Sequence, residues 1–140
     1  MASELDRFVQ AQEGVYPRVI DELSAGRKQS HWMWFIFPQI AGLGTSAMAQ
    51  RYAIRSRAKA QAYLAHDVLG GRLLDCTRLL VALPNRSITE ILGHPDDLKF
   101  RSSMTLFDAV SEQPIFADAI GQFYAGVRDP LTLAILKSWD

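Results

Sequence analysis

Four aromatic side chains, Trp32, Trp34, Phe35 and Phe37, fall within six consecutive positions of this chain. Pro38 follows at once, and the next six residues include two glycines. In a β-strand both faces of such a run would be apolar, and in an α-helix every side would be. The run must therefore be buried in a core or line a cavity, and any fold of the chain has to enclose it.

The local conformation of the aromatic segment, residues 30–45, follows from its polar and helix-breaking residues. Ser30 suits the N-cap of a helix that begins at His31, and Phe37 is biased towards extended geometry because a proline follows it. We therefore expect about two turns of helix and then an irregular, glycine-rich loop.

Elsewhere apolar residues recur at intervals of three and four, as at Leu73, Cys76 and Leu80, which is typical of amphipathic helices. No stretch alternates apolar and polar residues as strands do. The sequence predicts an all-α fold: a single compact domain over residues 1–140, with six or seven short helices and the irregular aromatic segment at 30–45. The predicted caps and stops of the helices are Ser3, Gly26, Ser87 with Glu90 as a capping box, Asp96 or Asp97, and Asp129 before Pro130.

The hydrophobic content and the charge balance of the chain exclude several classes of protein. Hydrophobic residues make up 49% of the chain, and 15 basic residues balance 15 acidic ones. That balance excludes a disordered chain and a uniformly basic nucleic-acid binder, so no nucleic-acid partner is expected. The first residues lack a signal-peptide profile, and the longest apolar stretch is shorter than the ~20 residues of a membrane span. We expect a cytoplasmic protein with no membrane partner.

Metal and nucleophile chemistry have little support in the sequence. The chain has one cysteine and three histidines, with no pair at ligand spacing on a common helix, so neither a metal site nor a cofactor is expected. Cys76 occupies a periodic apolar position, which is typical of a buried residue rather than a nucleophile.

The zero net charge conceals a basic middle. Residues 27–72 carry seven bases and one acid, a balance of +6, next to the aromatic run. That combination suits an anionic ligand that contains a ring, such as a nucleotide derivative. Arg51, Arg55 and Lys59 would share one face only if a single helix ran through Ser56. Because Ser56 instead resembles an N-cap, we expect solvent to surround most of these charges.

An aromatic pocket needs a few polar groups at its edge, and the aromatic segment has them at both ends. An indole would stack on the ring of the ligand, and each indole N–H needs a partner when it is buried. The side chains that would line such a pocket are His31, Trp32, Trp34 and Gln39.

A second set of candidates lies further along the chain. Arg51 or Lys99 would hold a phosphate of the ligand. Ser102 and Ser103 are unfavourable within a helix unless they bond to backbone or to a ligand. They therefore join Lys99 and Thr105 as candidate binding residues.

The chain resembles a known family over nearly its whole length. Residues 26–44, Gly-Arg-Lys-Gln-Ser-His-Trp-Met-Trp-Phe-Ile-Phe-Pro-Gln-Ile-Ala-Gly-Leu-Gly, closely resemble a bacterial domain of unknown function, DUF1810, whose members are sometimes labelled calpastatin. The similarity continues at Gln50-Arg51-Tyr52-Ala53-Ile54 and from Lys99 to Phe107. The resemblance implies membership of that family and no particular activity.

A shorter resemblance concerns residues 6–12, Asp-Arg-Phe-Val-Gln-Ala-Gln. They look like the opening helix of the YbiA-like NADAR families, whose members hydrolyse N-glycosidic bonds of ADP-ribose-type or riboflavin-pathway compounds. Those families have a catalytic Glu where this chain has Asp6. The resemblance implies that Asp6 is a candidate catalytic acid; an acid in the first turn of a helix explains the residue equally well.

Two functions remain open, and with them the question of whether the chain is an enzyme. In the first, the chain binds a small anionic, nucleotide-like ligand; if it is also an enzyme, an acid such as Asp6 would make it an N-glycosidase-type hydrolase of ADP-ribose-like compounds. In the second, it is a non-catalytic domain whose aromatic segment forms the core or a homodimer contact. The burial of Trp32 and Trp34 distinguishes the two.

Overall fold

A computed structural model of the chain describes residues 4–140. Within that range ten α-helices account for the regular structure, beside one isolated parallel β-bridge between Ile40 and Ile54. The helices are α1 (Asp6–Gln12), α2 (Tyr16–Ala25), α3 (Met33–Ile36), α4 (Ala47–Arg51), α5 (Arg57–Ala65), α6 (Leu69–Val81), α7 (Ile88–Leu92), α8 (Asp96–Ala109), α9 (Pro114–Tyr124) and α10 (Pro130–Ser138). The all-α prediction is confirmed, and one-turn helices such as α3 raise the number above the six or seven expected.

Local sequence signals fix several helix ends. Gly26 ends α2 in the left-handed conformation, with φ of 71°. Ser87 and Glu90 form the predicted capping box at the start of α7, and Asp129 caps α10. These three predictions are confirmed, whereas Ser3 lies outside the described residues.

The prediction that Asp96 or Asp97 caps α8 is wrong. Helix α8 begins at Asp96 and has no side-chain cap. Asp96 instead pairs with Lys28, at 2.8 Å between Oδ2 and Nζ, and Asp97 accepts a hydrogen bond of 2.6 Å from the Thr89 hydroxyl. Asp97 Oδ1 also accepts from the N–H of Leu98, the next residue, at 2.9 Å, but neither carboxylate bonds an N–H group two or three residues ahead, as a cap would.

The start of the helix in the aromatic segment is also predicted wrongly. Helix α3 begins at Met33, not at His31, and comprises a single turn. The reason is that Ser30 turns away from the helix, and its hydroxyl donates to Glu22 Oε2 at 2.6 Å. The rest of the segment is an irregular loop, as expected, and the bridge between Ile40 and Ile54 holds it in place.

Helix α8 is the central element, packing against α3, α5, α7, α9 and α10. From Ser102 to Phe107 every residue is buried, so no side of this part of the helix faces solvent. An edge-to-face contact between Phe37 and Phe100, with ring centroids 4.9 Å apart, joins the aromatic segment to α8. The buried apolar side chains of the described residues form one continuous cluster around this contact.

The lengths of the described helices bear on membrane insertion. Helix α8, the longest in residues 4–140, has 14 residues. No helix in this range is long and apolar enough to cross a bilayer.

Candidate functional site

The aromatic run divides into three core residues and one that reaches the surface. Trp32, Phe35 and Phe37 are at most 7% exposed. Trp34 is half-buried and lines a cleft of about 600 Å³ between the aromatic segment, α8 and α10, here termed the tryptophan cleft. Its walls are formed by Trp34, Gln39, Leu43, Gly44, Thr45, Ser46, Ala49, Pro95, Leu98, Lys99, Arg101, Ser102, Asp129 and Leu131.

Trp32 is a structural residue because the protein itself satisfies its polar group. The indole Nε1 donates to Glu22 Oε1 at 2.9 Å, and the same carboxylate accepts from the Ser30 hydroxyl and the backbone N–H groups of Gln29 and Ser30. Burial by itself raises the pKa of Glu22, but these hydrogen bonds together lower it to about 2. Trp32 is fully buried and is not among the residues that line the tryptophan cleft.

Trp34 lies in a chain of alternating charges and rings. The Lys99 ammonium is 4.9 Å from the centroid of the Trp34 ring and 3.4 Å from Asp96 Oδ1. The other oxygen of Asp96 is 2.8 Å from the Lys28 ammonium, which in turn lies 5.1 Å from the Trp32 ring centroid. Since two lysines share one carboxylate, the trio keeps a surplus positive charge beside Trp34.

Arg101 supplies a second cation to the tryptophan cleft. Its Nη2 is 3.5 Å from Asp129 Oδ1, at the long limit of a hydrogen bond, and its guanidinium lies 5.8 Å from the Tyr124 ring centroid. Its Nε is buried and has no hydrogen-bond partner among the described residues. A guanidinium has five donors, so Arg101 keeps donors to offer to a carboxylate or phosphate in the cleft.

Ser102 lines the tryptophan cleft as the end of a hydrogen-bond chain. The Thr132 hydroxyl donates to Asp129 Oδ2 at 2.6 Å, because a carboxylate can only accept. The Thr132 oxygen therefore accepts from the Ser102 hydroxyl, 3.0 Å away. Because the Ser102 hydroxyl donates its proton to Thr132, its oxygen can only accept hydrogen bonds from a ligand. It therefore suits a hydroxyl or amino group of a ligand rather than an anion.

Thr105, a candidate binding residue, has a structural role. Its hydroxyl donates to the Arg101 carbonyl at 2.8 Å and accepts from the Asp129 N–H at 3.0 Å. Together with the pair formed by Ser102 and Thr132, this contact connects α8 to α10. Much of the unusual hydroxyl content of α8 thus stabilises the packing of two helices.

The remaining candidates lie elsewhere. Ser103 is fully buried, and its hydroxyl has no partner among the described residues. His31 lines a neighbouring cleft of about 300 Å³, which shares Trp34 and Lys99 with the tryptophan cleft. Asp6 is the first residue of α1 and is not among the residues that line the tryptophan cleft.

Arg51 belongs to a third cleft, of about 230 Å³, which we term the arginine cleft because Arg7, Arg51, Arg55 and Lys59 line it. Ser56 caps α5, as predicted, so these cations lie on separate elements. The fold nevertheless brings them to one place. Arg51 and Arg55 are exposed, as expected for solvated charges.

The sequence predicts four of the residues that line the tryptophan cleft: Trp34, Gln39, Lys99 and Ser102. It does not predict the other lining residues, among them Asp129. Positions 95, 98, 99 and 102 follow the spacing of three and four that defines one helix face, so that pattern could have revealed the wall contributed by α8. For Asp129 the sequence predicts only a role as a cap. Its place in the cleft depends on how α10 packs against α8.

Within residues 4–140 no group of three or more His, Cys, Asp or Glu side chains could hold a metal ion. Cys76 is fully buried, and this burial raises the pKa of its thiol to about 12.

The fold and the tryptophan cleft define a small all-α protein in which two cations and an indole face one partly apolar cleft. The chain belongs to the protein family of unknown function DUF1810, whose model matches residues 2–136. The resemblance found in the sequence is thereby confirmed.

Among solved structures, the chain is similar to the crystal structure of the conserved hypothetical protein Rv1873 from Mycobacterium tuberculosis. The two are 52% identical, with a TM-score of 0.94, and the match covers 96% of each chain. No curated protein matches the chain.

Proposed function

We propose that the tryptophan cleft binds a small anionic ligand with a flat ring, of the nucleotide-like class. The observation that carries this proposal is the convergence of Lys99 and Arg101 beside the half-buried ring of Trp34. An indole offers a stacking surface for a ring, and the two cations offer charge to a phosphate.

The charge of the tryptophan cleft favours an anion. Asp129 is the one acid among its lining residues, against Lys99 and Arg101. The Asp129 Oδ2 atom already accepts from the N–H and the hydroxyl of Thr132, at 2.9 and 2.6 Å. Arg101 keeps unused donors on its Nη atoms, because its one hydrogen bond among the described residues, to Asp129, is long. A phosphate or carboxylate can take up these donors, whereas a cationic ligand would meet two like charges.

The volume and polarity of the tryptophan cleft are those of a small-molecule binding site. Its volume of about 600 Å³ lies within the ~300–1,000 Å³ of small-molecule sites. Leu98 and Leu131, at 47% and 66% exposure, place apolar surface at its rim. Gln39 and Ser102 add acceptors for ribose hydroxyls or for amino groups of a base.

Hydrolysis of an N-glycosidic bond is a separate question from binding. It requires a carboxylate beside the sugar, to stabilise an oxocarbenium-like transition state or to activate water. Asp6 does not line the tryptophan cleft, and the carboxylate of Asp129 is engaged by Thr132. Binding without hydrolysis is therefore the function proposed, and turnover is measured as an independent arm of the test.

Isothermal titration with AMP, ADP and ADP-ribose, alongside thermal unfolding, tests the proposal. A ligand at 100 times its dissociation constant should stabilise the protein by ~2.7 kcal/mol. Lys99→Gln should weaken binding about tenfold, as expected for one hydrogen bond to a charged group. Arg78→Gln is the matched control, since Arg78 lies on α6 in an exposed pair with Asp75.

Four results would count against this account. If none of the three compounds binds, the ligand is not of the nucleotide-like class. If the wild type and Lys99→Gln bind with equal affinity, the ligand does not bind in the tryptophan cleft. Release of free base from ADP-ribose would instead establish the hydrolase. A stable dimer that Leu131→Glu dissociates would favour the alternative of a homodimer contact, because the exposed Leu131 would then be an interface residue.

A further inference from the structure

Four cationic side chains line the arginine cleft: Arg7 from α1, Arg51 from α4, Arg55 from the connection after α4, and Lys59 from α5. Glu4 is the one acid that lines the same cleft. A volume of about 230 Å³ with this lining concentrates positive charge in a space suited to a small ion. None of these residues lines the tryptophan cleft.

Arg7 is held at the wall of the arginine cleft by backbone carbonyls. Its Nε donates to the Arg51 carbonyl at 2.7 Å and its Nη2 to the Ala53 carbonyl at 3.3 Å, while Nη1 donates to the Glu4 carbonyl. Burial lowers the pKa of Arg7; the charge of Glu4 opposes this effect, and the charges of Arg55 and Arg51 lower the pKa further. Like charges are thus crowded around a fixed guanidinium.

The one acid of the arginine cleft leaves most of this charge uncompensated. Glu4 Oε2 is 2.8 Å from the Lys59 ammonium, and this contact lowers the pKa of Glu4. Arg55 donates to the Gln50 carbonyl at 3.0 Å. This hydrogen bond satisfies one N–H group of the guanidinium but does not neutralise its positive charge. Three guanidinium groups therefore face one small space with their formal charges unmatched by its lining.

We propose that the arginine cleft binds a tetrahedral oxyanion: inorganic phosphate or the terminal phosphoryl group of a phosphorylated metabolite. Guanidinium groups match the oxygen spacing of phosphate and can donate in pairs to it. A doubly charged anion would also relieve the repulsion among Arg7, Arg51 and Arg55. The exposed setting keeps the arginine side chains hydrated until the anion enters, which suits exchangeable binding.

The arginine cleft adjoins the tryptophan cleft. A small pocket of about 40 Å³ shares Gln39 and Ala49 with the tryptophan cleft, and Gln50 and Arg55 with the arginine cleft. The same phosphate chemistry can therefore come from a free ion or from the far end of a ligand whose ring lies against Trp34. The experiment has to distinguish these two sources.

Titration calorimetry with inorganic phosphate and diphosphate, at constant ionic strength, tests the arginine cleft. Arg55→Gln should weaken phosphate binding about tenfold, because it removes one guanidinium. Glu4→Gln should strengthen it, since the variant removes the negative charge that competes with the anion. Arg78→Gln on α6 is the control for the loss of one surface charge and should bind as the wild type does.

A second titration identifies the source of the phosphate. If saturating phosphate weakens the binding of ADP, the arginine cleft holds the terminal phosphoryl group of that ligand; if ADP binds unchanged, the site is for free phosphate. Both results support the oxyanion site. It is overturned if millimolar phosphate gives no heat of binding, or if Arg55→Gln and Arg78→Gln bind phosphate equally. If Arg55→Gln does not fold, Glu4→Gln still tests the proposal. Phosphate binding by Glu4→Gln that is no stronger than that of the wild type would contradict it.

Discussion

Trp32 and Glu22 are joined by a hydrogen bond of 2.9 Å from the indole Nε1 to Oε1. This bond connects the aromatic segment to α2 and fixes Trp32 in the core. Trp34 lies two residues later, within the single turn of α3, and lines the tryptophan cleft. By fixing Trp32 in the core, the carboxylate of Glu22 helps to position a cleft that it does not line.

Removing that carboxylate should destabilise the fold. In Glu22→Ala the Trp32 N–H stays buried without a partner, and the N–H groups of Gln29 and Ser30 lose their acceptor. We expect the free energy of unfolding to fall by about 2–3 kcal/mol. Urea unfolding at pH 7 measures it, and a loss below about 0.5 kcal/mol would show that water replaces the carboxylate.

The contribution of Glu22 should depend on pH. Its pKa is about 2 in the folded protein, against ~4.3 for an unfolded glutamate. A lowered folded pKa stabilises the native state fully above the unfolded value, and that stabilisation is lost as the pH falls towards 2. The stability advantage of the wild type over Glu22→Gln should therefore be smaller at pH 3 than at pH 7. An equal advantage at both pH values would contradict this origin.

Trp32 and Trp34 should respond differently to the same substitution. Trp32→Ala removes a fully buried side chain and should cost ~3–5 kcal/mol of stability. Trp34→Ala removes a half-buried one, so the variant should stay folded and lose affinity for ADP-ribose instead. Thermal unfolding and titration calorimetry on both variants check this pair; equal losses of stability would make Trp34 a core residue as well.

Two neighbouring glycines at the start of α6 provide another matched pair. A Cβ on Gly70 would lie 2.0 Å from the carbonyl oxygen of Leu64, a backbone atom, whereas a Cβ on Gly71 would meet nothing within 4 Å. Gly70→Ala should cost about 2–3 kcal/mol, and Gly71→Ala should gain about 0.4–1 kcal/mol. Chemical denaturation of both variants tests the approach of α6 to the end of α5. If Gly70→Ala is as stable as the wild type, that approach is not as close as described.

Asp129 both caps α10 and places a negative charge in the tryptophan cleft. Two substitutions separate these effects. Asp129→Ala removes the cap of α10 and should cost about 1–2 kcal/mol. Asp129→Asn keeps a capping oxygen and removes the one acidic charge that lines the tryptophan cleft. It should leave stability within about 1 kcal/mol and strengthen ADP-ribose binding. Weaker binding by Asp129→Asn would mean that the carboxylate contacts the ligand directly.

Local signals in the sequence predicted much of the helical framework, since a cap needs only its own turn. Ser87 with Glu90, and Asp129 before Pro130, are examples in which sequence neighbours supply both partners. Asp96 shows where this reasoning stops. Its sequence position suits a cap, but its partner, Lys28, comes from a distant part of the chain.

The clefts depend on tertiary packing in the same way. Lys99 and Ser102 could be placed on one face of α8 from their spacing, but Arg101 opposite Asp129 could not. Arg51 and Arg55 lie on different elements from Arg7, so the arginine cleft has no periodic signature in the sequence. Only the packing of α1 beside α4 and the start of α5 brings these charges together.

The most direct test of ligand binding at the tryptophan cleft uses the three tryptophans of the chain as reporters. Their indole N–H signals are followed by nitrogen–proton correlation spectroscopy during titration with ADP-ribose, and Trp34→Phe assigns the Trp34 signal. The account predicts that the Trp34 signal moves progressively and saturates, while those of the buried Trp32 and of Trp139, which follows α10, stay in place. Saturable binding that leaves the Trp34 signal unmoved would contradict the tryptophan cleft as the binding site.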